Sequence, residues 1–170
     1  MKRKCAWLLL PLVLCALTWG AKWRADHPTP MKEDLEVRAL MAQSFKVGIV
    51  HDPRSGNPGK FGIYWKKFPK EDLELLINCF SISHQIEKSR EMMGRNGLVS
   101  VDFFLTNTKN NDVHNVFVDL NVDSGEGVVT VHSPENIVEH NLHPITARRW
   151  ISLLLNHPQI GPELRARLNQ

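Results

Sequence analysis

The densest set of residues able to do chemistry in this chain lies between Asp112 and His143. Asp119-Leu120-Asn121-Val122-Asp123-Ser124-Gly125-Glu126 opens like a calcium loop, because oxygen-bearing side chains at alternate positions of a tight turn can converge on one hard cation. Two positions break the pattern: Ser124 stands where the sharp turn needs glycine, and Thr130 stands where a bidentate glutamate would close the shell. Alternation explains more of these residues. Val116, Val118, Leu120 and Val122 fall on one side of an extended chain, and Phe117, Asp119, Asn121 and Asp123 on the other. That is the signature of a half-buried strand running into a hairpin, with its carboxylates in water.

His132, His140 and His143 share a short span with Glu135 and Glu139, a donor set that suits zinc. Their spacing matches neither the structural zinc patterns nor His-Glu-x-x-His, so they read as exposed loop histidines, and neither a metal nor a cofactor is expected. Between Lys109 and Arg148 there is no Lys or Arg, while Asp112, Asp119, Asp123, Glu126, Glu135 and Glu139 accompany His114 and the three histidines above. This stretch should form an acidic, pH-responsive surface.

A hydrolase would need a nucleophile beside a base, and His51-Asp52, or Asp102 with His114, supplies the residue types. The sequence contains no Gly-x-Ser-x-Gly, no Walker loop and no dinucleotide glycine fingerprint. Around Phe61, Tyr64, Trp65, Lys66, Lys67, Phe68 and Lys70, aromatic and basic residues interleave. Tyr64, Trp65, Lys66 and Lys67 are the candidate partner-binding set, beside the turn-rich loop Asp52 to Lys60; a strand with alternate residues buried is the plainer alternative. Cys79 lies among Ile77, Phe80 and Ile82, which marks it as a small core residue rather than a nucleophile.

The elements that must position these groups follow from periodicity. Residues 22–33, with Pro28 and Pro30, read as a linker, and the helical pattern that starts at Met31 and ends at Phe45 carries Glu33, Asp34 and Glu36 in its first turns, where the helix dipole favours acids. Phe45 to Val50 and Phe61 to Lys67 read as a long-looped hairpin. Pro69 starts a helix predicted to run to about Met93 as the buried centrepiece of the fold. Leu98 to Thr106, Val113 to Val122 and Val128 to His132 form a three-stranded meander, Ser133-Pro134-Glu135 caps a short helical turn, and helices follow over Pro144 to Leu155 and Pro162 to Leu168. Short connections and segregated elements predict one α+β domain over residues 34–170, a mainly antiparallel sheet with helices on one face.

The 170 residues leave room for one such domain, and 42% hydrophobic with 23% charged residues is an ordinary globular composition. The formal charge of +3 resides in the N-terminus: removing Lys2, Arg3 and Lys4 from the 21 Lys and Arg leaves 18, equal to the 18 Asp and Glu. A neutral body excludes a phosphate-binding surface as the inference from pI, so no nucleic-acid partner is expected. Lys2-Arg3-Lys4 is followed by 17 uncharged residues, Cys5 to Ala21, so residues 1–21 read as a signal peptide or an N-terminal membrane anchor, the only part expected to meet a membrane. Cys79 alone remains beyond that segment, which leaves no partner for an internal disulfide, and no Asn-x-Ser/Thr sequon occurs. The combined reading is a bacterial cell-envelope protein, periplasmic or secreted, or tethered to the inner membrane through residues 5–21, that binds a macromolecular partner as an assembly component, inhibitor or immunity-type factor. The alternative is a small exported hydrolase using His and Asp of the meander.

Overall fold

Alternating apolar and polar residues decide which side of a sheet each side chain meets, and here both sides are buried to different ends. The computed structural model describes residues 6–26, 29–44, 48–51, 66–83, 97–106 and 113–169. The chain divides into two units, Met1–Pro30 and Met31–Gln170. The first contains helix α1 (Ala6–Asp26), in which the Thr18 hydroxyl donates back to the carbonyls of Leu14 and Cys15. This helix continues past Lys22, Trp23 and Arg24, so the predicted linker from residue 22 is shortened by one turn; Pro28, which sets its limit, lies beyond Asp26. Among the described residues no helix is long and apolar enough to cross a membrane.

The second unit is α+β. Its elements are α2 (Lys32–Gln43), β1 (Gly48–His51), β2 (Lys66–Lys67), α3 (Lys70–Asn78), β3 (Leu98–Thr106), β4 (Val113–Asn121), β5 (Glu126–His132), β6 (Ile137–Asn141), α4 (Pro144–Asn156) and α5 (Gly161–Leu168). The strands form one antiparallel sheet in the order β2-β1-β3-β4-β5-β6, which joins the predicted hairpin and meander through the β1–β3 pairing. Val101 faces Val118, which faces Val129, and Phe103 faces Val116, which faces Val131. These residues share a core with Val37 and Met41 of α2, Leu73, Leu76 and Ile77 of α3, and Trp150, Ile151 and Leu154 of α4. One face is therefore dry and covered by helices. Gly48 owes its lack of a side chain to this packing, since a methyl there would collide with Leu73.

Two predicted elements differ. The helix from Pro69 ends at Asn78 with Cys79 as its C-cap, and Phe80 to Ser83 continue as extended chain: Ile82 forms a bridge with Leu142, Ser83 N–H donates to Asn141 O at 2.8 Å, and His143 N–H donates to Ser81 O at 2.9 Å. The apolar residues spread from Leu73 to Ile82, interrupted only by Glu74, Asn78 and Ser81, do not distinguish a helix from a helix followed by an edge strand, because both bury them. Cys79 is thus half-buried at a helix end rather than inside a helix, and residues 84–93 of the predicted helix lie outside the described residues. Likewise Ser133-Pro134-Glu135 does not open a helical turn. The Ser133 hydroxyl caps a tight connection to Asn136, and a sixth strand, β6, follows.

Helix α3 is short and its last carbonyls are inside, so they need donors. Trp150 Nε1 donates to Leu76 O at 2.9 Å, the Thr146 hydroxyl to Cys79 O at 3.0 Å, and the Arg38 guanidinium to Phe80 O. From the same helix as Arg38, the fully buried Asp34 accepts from Met31 N–H at 2.8 Å, closing its own helix start, and from Ile82 N–H at 2.7 Å, with the Ser81 hydroxyl at 3.4 Å. The predicted dipole-favoured acid is therefore the clamp between α2 and the chain leaving α3. Asp34→Ala should lower unfolding free energy by roughly 2–4 kcal/mol, because it strands the Ile82 donor in the interior, whereas exposed Glu33→Ala should stay within about 0.5 kcal/mol of wild type. Urea denaturation of both variants checks this.

Candidate functional site

The sheet face away from the helices carries an unusual amount of buried polarity. In register across it lie His51, Ser100 and Asp119, and beside them Ile49, Asp102, Phe117 and Thr130. Ser100, Asp102, Asp119, Asn121 and Thr130 are all buried, and His51 nearly so. Leu98 and Val128 form a small apolar contact on the same face.

His51 Nε2 lies 2.8 Å from Asp102 Oδ2, and the Ser100 hydroxyl donates to Asp102 Oδ1 at 3.1 Å. Both oxygens of Asp102 are thereby engaged. The sequence offers His51 with Asp52 and Asp102 with His114; the structure instead joins one member of each pair, residues that only the β1–β3 register can bring together. As chemistry this is a histidine–carboxylate dyad with a hydroxyl on the wrong partner. In an activated serine the hydroxyl would donate to the imidazole, whereas Ser100 donates to the carboxylate.

The remaining sequence candidates separate. Asp119 is fully buried opposite Ser100 rather than in water, and Asn121 Oδ1 accepts the N–H groups of Asp123 at 2.9 Å and Ser124 at 3.0 Å, which folds the β4–β5 turn. Gly125, at φ 72°, takes the left-handed position that completes it. Asp119, Asn121 and Asp123 therefore belong to a strand and its hairpin, as the apolar alternation implies, but Asp119 corrects the expectation of solvated carboxylates. His132 stacks edge-on against Phe117 at 5.0 Å on the polar face, His140 sits on the opposite face of β6, and His143 caps α4, its Nδ1 accepting from Ile145 N–H at 3.3 Å. These three histidines are not loop residues sharing a site. Among the described residues no three His, Cys, Asp or Glu are grouped to hold a metal ion. Lys66 and Lys67 lie exposed on the edge strand β2, with Lys66 Nζ 3.6 Å from Glu163, and Tyr64 and Trp65 lie outside the described residues.

Two further arrangements lie outside the candidates that the sequence offers. His157 Nδ1 accepts the N–H groups of Gln159 and Ile160, so its proton sits on Nε2, which donates to Asp72 Oδ2 at 2.7 Å. This ties the α4–α5 corner to the first turn of α3, across a separation of 85 residues. The other arrangement is the edge strand β6. Its Ile137 is 64% exposed and its Val138 43%, on opposite faces of the strand. Ile137-Val138 after a Ser-Pro-Glu-Asn turn is a readable strand start, concealed by the proline's resemblance to a helix opening.

No family model, no curated protein and no solved structure matches this chain.

His51 and Asp102 should behave as one unit. In a double-mutant cycle with His51→Ala and Asp102→Ala, the coupling free energy should be at least about 1 kcal/mol, measured by chemical denaturation; additive losses would show that the contact contributes nothing.

Proposed function

We propose that this chain is an exported cell-envelope protein that acts by binding another protein, and that the partner adds an extended segment to the β6 edge. The observation that carries this reading is the state of that edge. Leu142 N–H donates to Gly127 O, which places the 142–127 pair among the bonded pairs of the β5–β6 ladder. Alternation then turns the N–H and C=O groups of Val138 and His140 toward β5 and those of Ile137 and Glu139 outward. Ser83 and Ser81 take up the outer side of residues 141–143; among the described residues nothing pairs with the outer side from Ile137 to His140. Edge strands are ordinarily blunted by lysine, proline or a bulge, and β6 has none of these within it. It presents instead an exposed apolar residue on each face, the arrangement that strand addition uses: backbone bonds for affinity, alternate side chains for selectivity. Glu135 and Glu139 flank the two apolar residues in a segment without Lys or Arg, so the added strand should carry basic side chains.

Export rests on Lys2-Arg3-Lys4 ahead of uncharged Cys5 to Ala21. The exposed pair Lys66 and Lys67, with Tyr64 and Trp65 preceding them in sequence, is a second surface for the same kind of role on the opposite edge of the sheet. The hydrolase alternative draws on the His51–Asp102 dyad, and the Ser100 hydroxyl's bond to Asp102 gives it less support than the edge gives to binding.

Two measurements test the proposal separately. A reporter active only outside the cytoplasm, fused after Gln170, should be active. In cells of the source organism, a photocrosslinking residue at Ile137 should give a discrete adduct that one at exposed Glu71 does not. Glu139→Pro should weaken that adduct by at least about tenfold while leaving the melting temperature close to wild type, because the N–H it removes faces away from β5. An inactive reporter would overturn export; equal adducts at both positions, or one insensitive to Glu139→Pro, would overturn the edge.

A further inference from the structure

An open cavity of about 420 Å³ lies between the β4–β5 turn and helices α4 and α5, and it shares only Val122 and Gly125 with the hairpin described above. Its floor is apolar, made by Val122 and Leu155 with Ile151 beneath, and its rim carries Arg148 and Arg165. Both arginines are positioned. The Arg165 guanidinium donates to Leu155 O, and the stem of Arg148 lies against Gly125, where an added methyl would sit 3.6 Å from its Cγ and Nε. Among the described residues Arg148 has no acidic partner: Glu126, next to Gly125, accepts from the Ser124 hydroxyl at 3.3 Å, and Glu163, two residues before Arg165, pairs with Lys66. Ser152, also on the rim, accepts from Asn156 Nδ2 at 3.3 Å, which leaves its hydroxyl proton to donate.

Two guanidinium groups and a hydroxyl around an apolar floor define a ligand with one anionic head and an apolar body. We propose that this cavity binds a small aliphatic monocarboxylate, its head between Arg148 and Arg165 with a bond from Ser152, its chain along Val122 and Leu155. A carboxylate matches the fork of an arginine, and the volume falls in the range of small-molecule pockets, roughly 300–1,000 Å³. The site is independent of the β6 edge: it lies on other elements, and its test involves no protein partner.

The test titrates the full chain with octanoate, following the Gly125 amide and the Arg148 Nε–H by NMR, with octanol and acetate as the probes that lack the head or the chain. Saturable shifts of both signals with octanoate are expected, with octanol and acetate at least about tenfold weaker. Arg148→Gln should weaken octanoate by about tenfold or more at unchanged melting temperature, since among the described residues that guanidinium bonds to no other group. Ser152→Phe, which fills the cavity from the exposed side of α4, should abolish the shifts and provides a second variant should the first fold poorly. Absence of saturable shifts with wild type, equal binding of octanol, or octanoate binding unchanged in both variants would overturn the proposal.

Discussion

Helices α2 and α4 and the end of β6 meet the last turn of α3 and the chain that leaves it, residues 76–83, and the bonds to that stretch are what the rest of the structure depends on. Helix α3 stops after nine residues, which would leave inward-facing carbonyls without donors. Arg38 from α2, with Thr146 and Trp150 from α4, supply donors to Phe80, Cys79 and Leu76. Asp34 accepts from Ile82, and the end of β6 pairs with the same stretch. Loss of any one of these exposes no new surface to water; it leaves a buried polar group unmet, which costs more than the net value of an ordinary hydrogen bond. The clamp also explains how α2, whose apolar stripe is weak, is held on one face of the sheet beside the amphipathic α3 and α4. Their positions are set by directional bonds to carbonyls, and Trp150, wedged between Phe80 and Phe103 with centroids 6.1 Å from each, fills the space those bonds define.

The two faces of the sheet then separate roles. The helical face holds the packed apolar core, whereas the opposite face holds Ser100, Asp102, Asp119 and His51 in register, a row whose cost of burial is offset only by internal bonding. Such a row specifies strand register: a slip of one residue would move Asp102 and Asp119 into the apolar core and Val101 and Val118 out of it. A strictly set register is also what keeps the β6 backbone groups facing outward in a fixed order, so polar burial in the sheet centre and the chemistry of its edge are linked through the same ladder.

Much of this organisation is legible in the sequence, for identifiable reasons. The alternation Val116, Val118, Leu120 against Phe117, Asp119, Asn121 marks β4 and its hairpin, both of which the structure contains. The end of α3 is not legible, because apolar residues continue past Asn78 through Phe80 to Ile82 and only the tertiary donors decide where the helix stops. The polar row is not legible either. A strand with acidic alternate residues ordinarily shows them to water, and nothing local distinguishes Asp119, which is buried, from Asp123, which is exposed. Site residues joined over long separations, His51 with Asp102 and Asp72 with His157, emerge only when the sheet order and the α4–α5 corner are known.

The central claim, that β6 offers an outward row of backbone groups to an incoming strand, is tested most directly by residue-resolved amide hydrogen exchange in the isolated protein. An alternating pattern is expected, with Ile137 and Glu139 exchanging at least about tenfold faster than Val138 and His140, whose N–H groups bond to β5. Equal protection along all four residues would mean that the outer side is already satisfied within the molecule, and would contradict it.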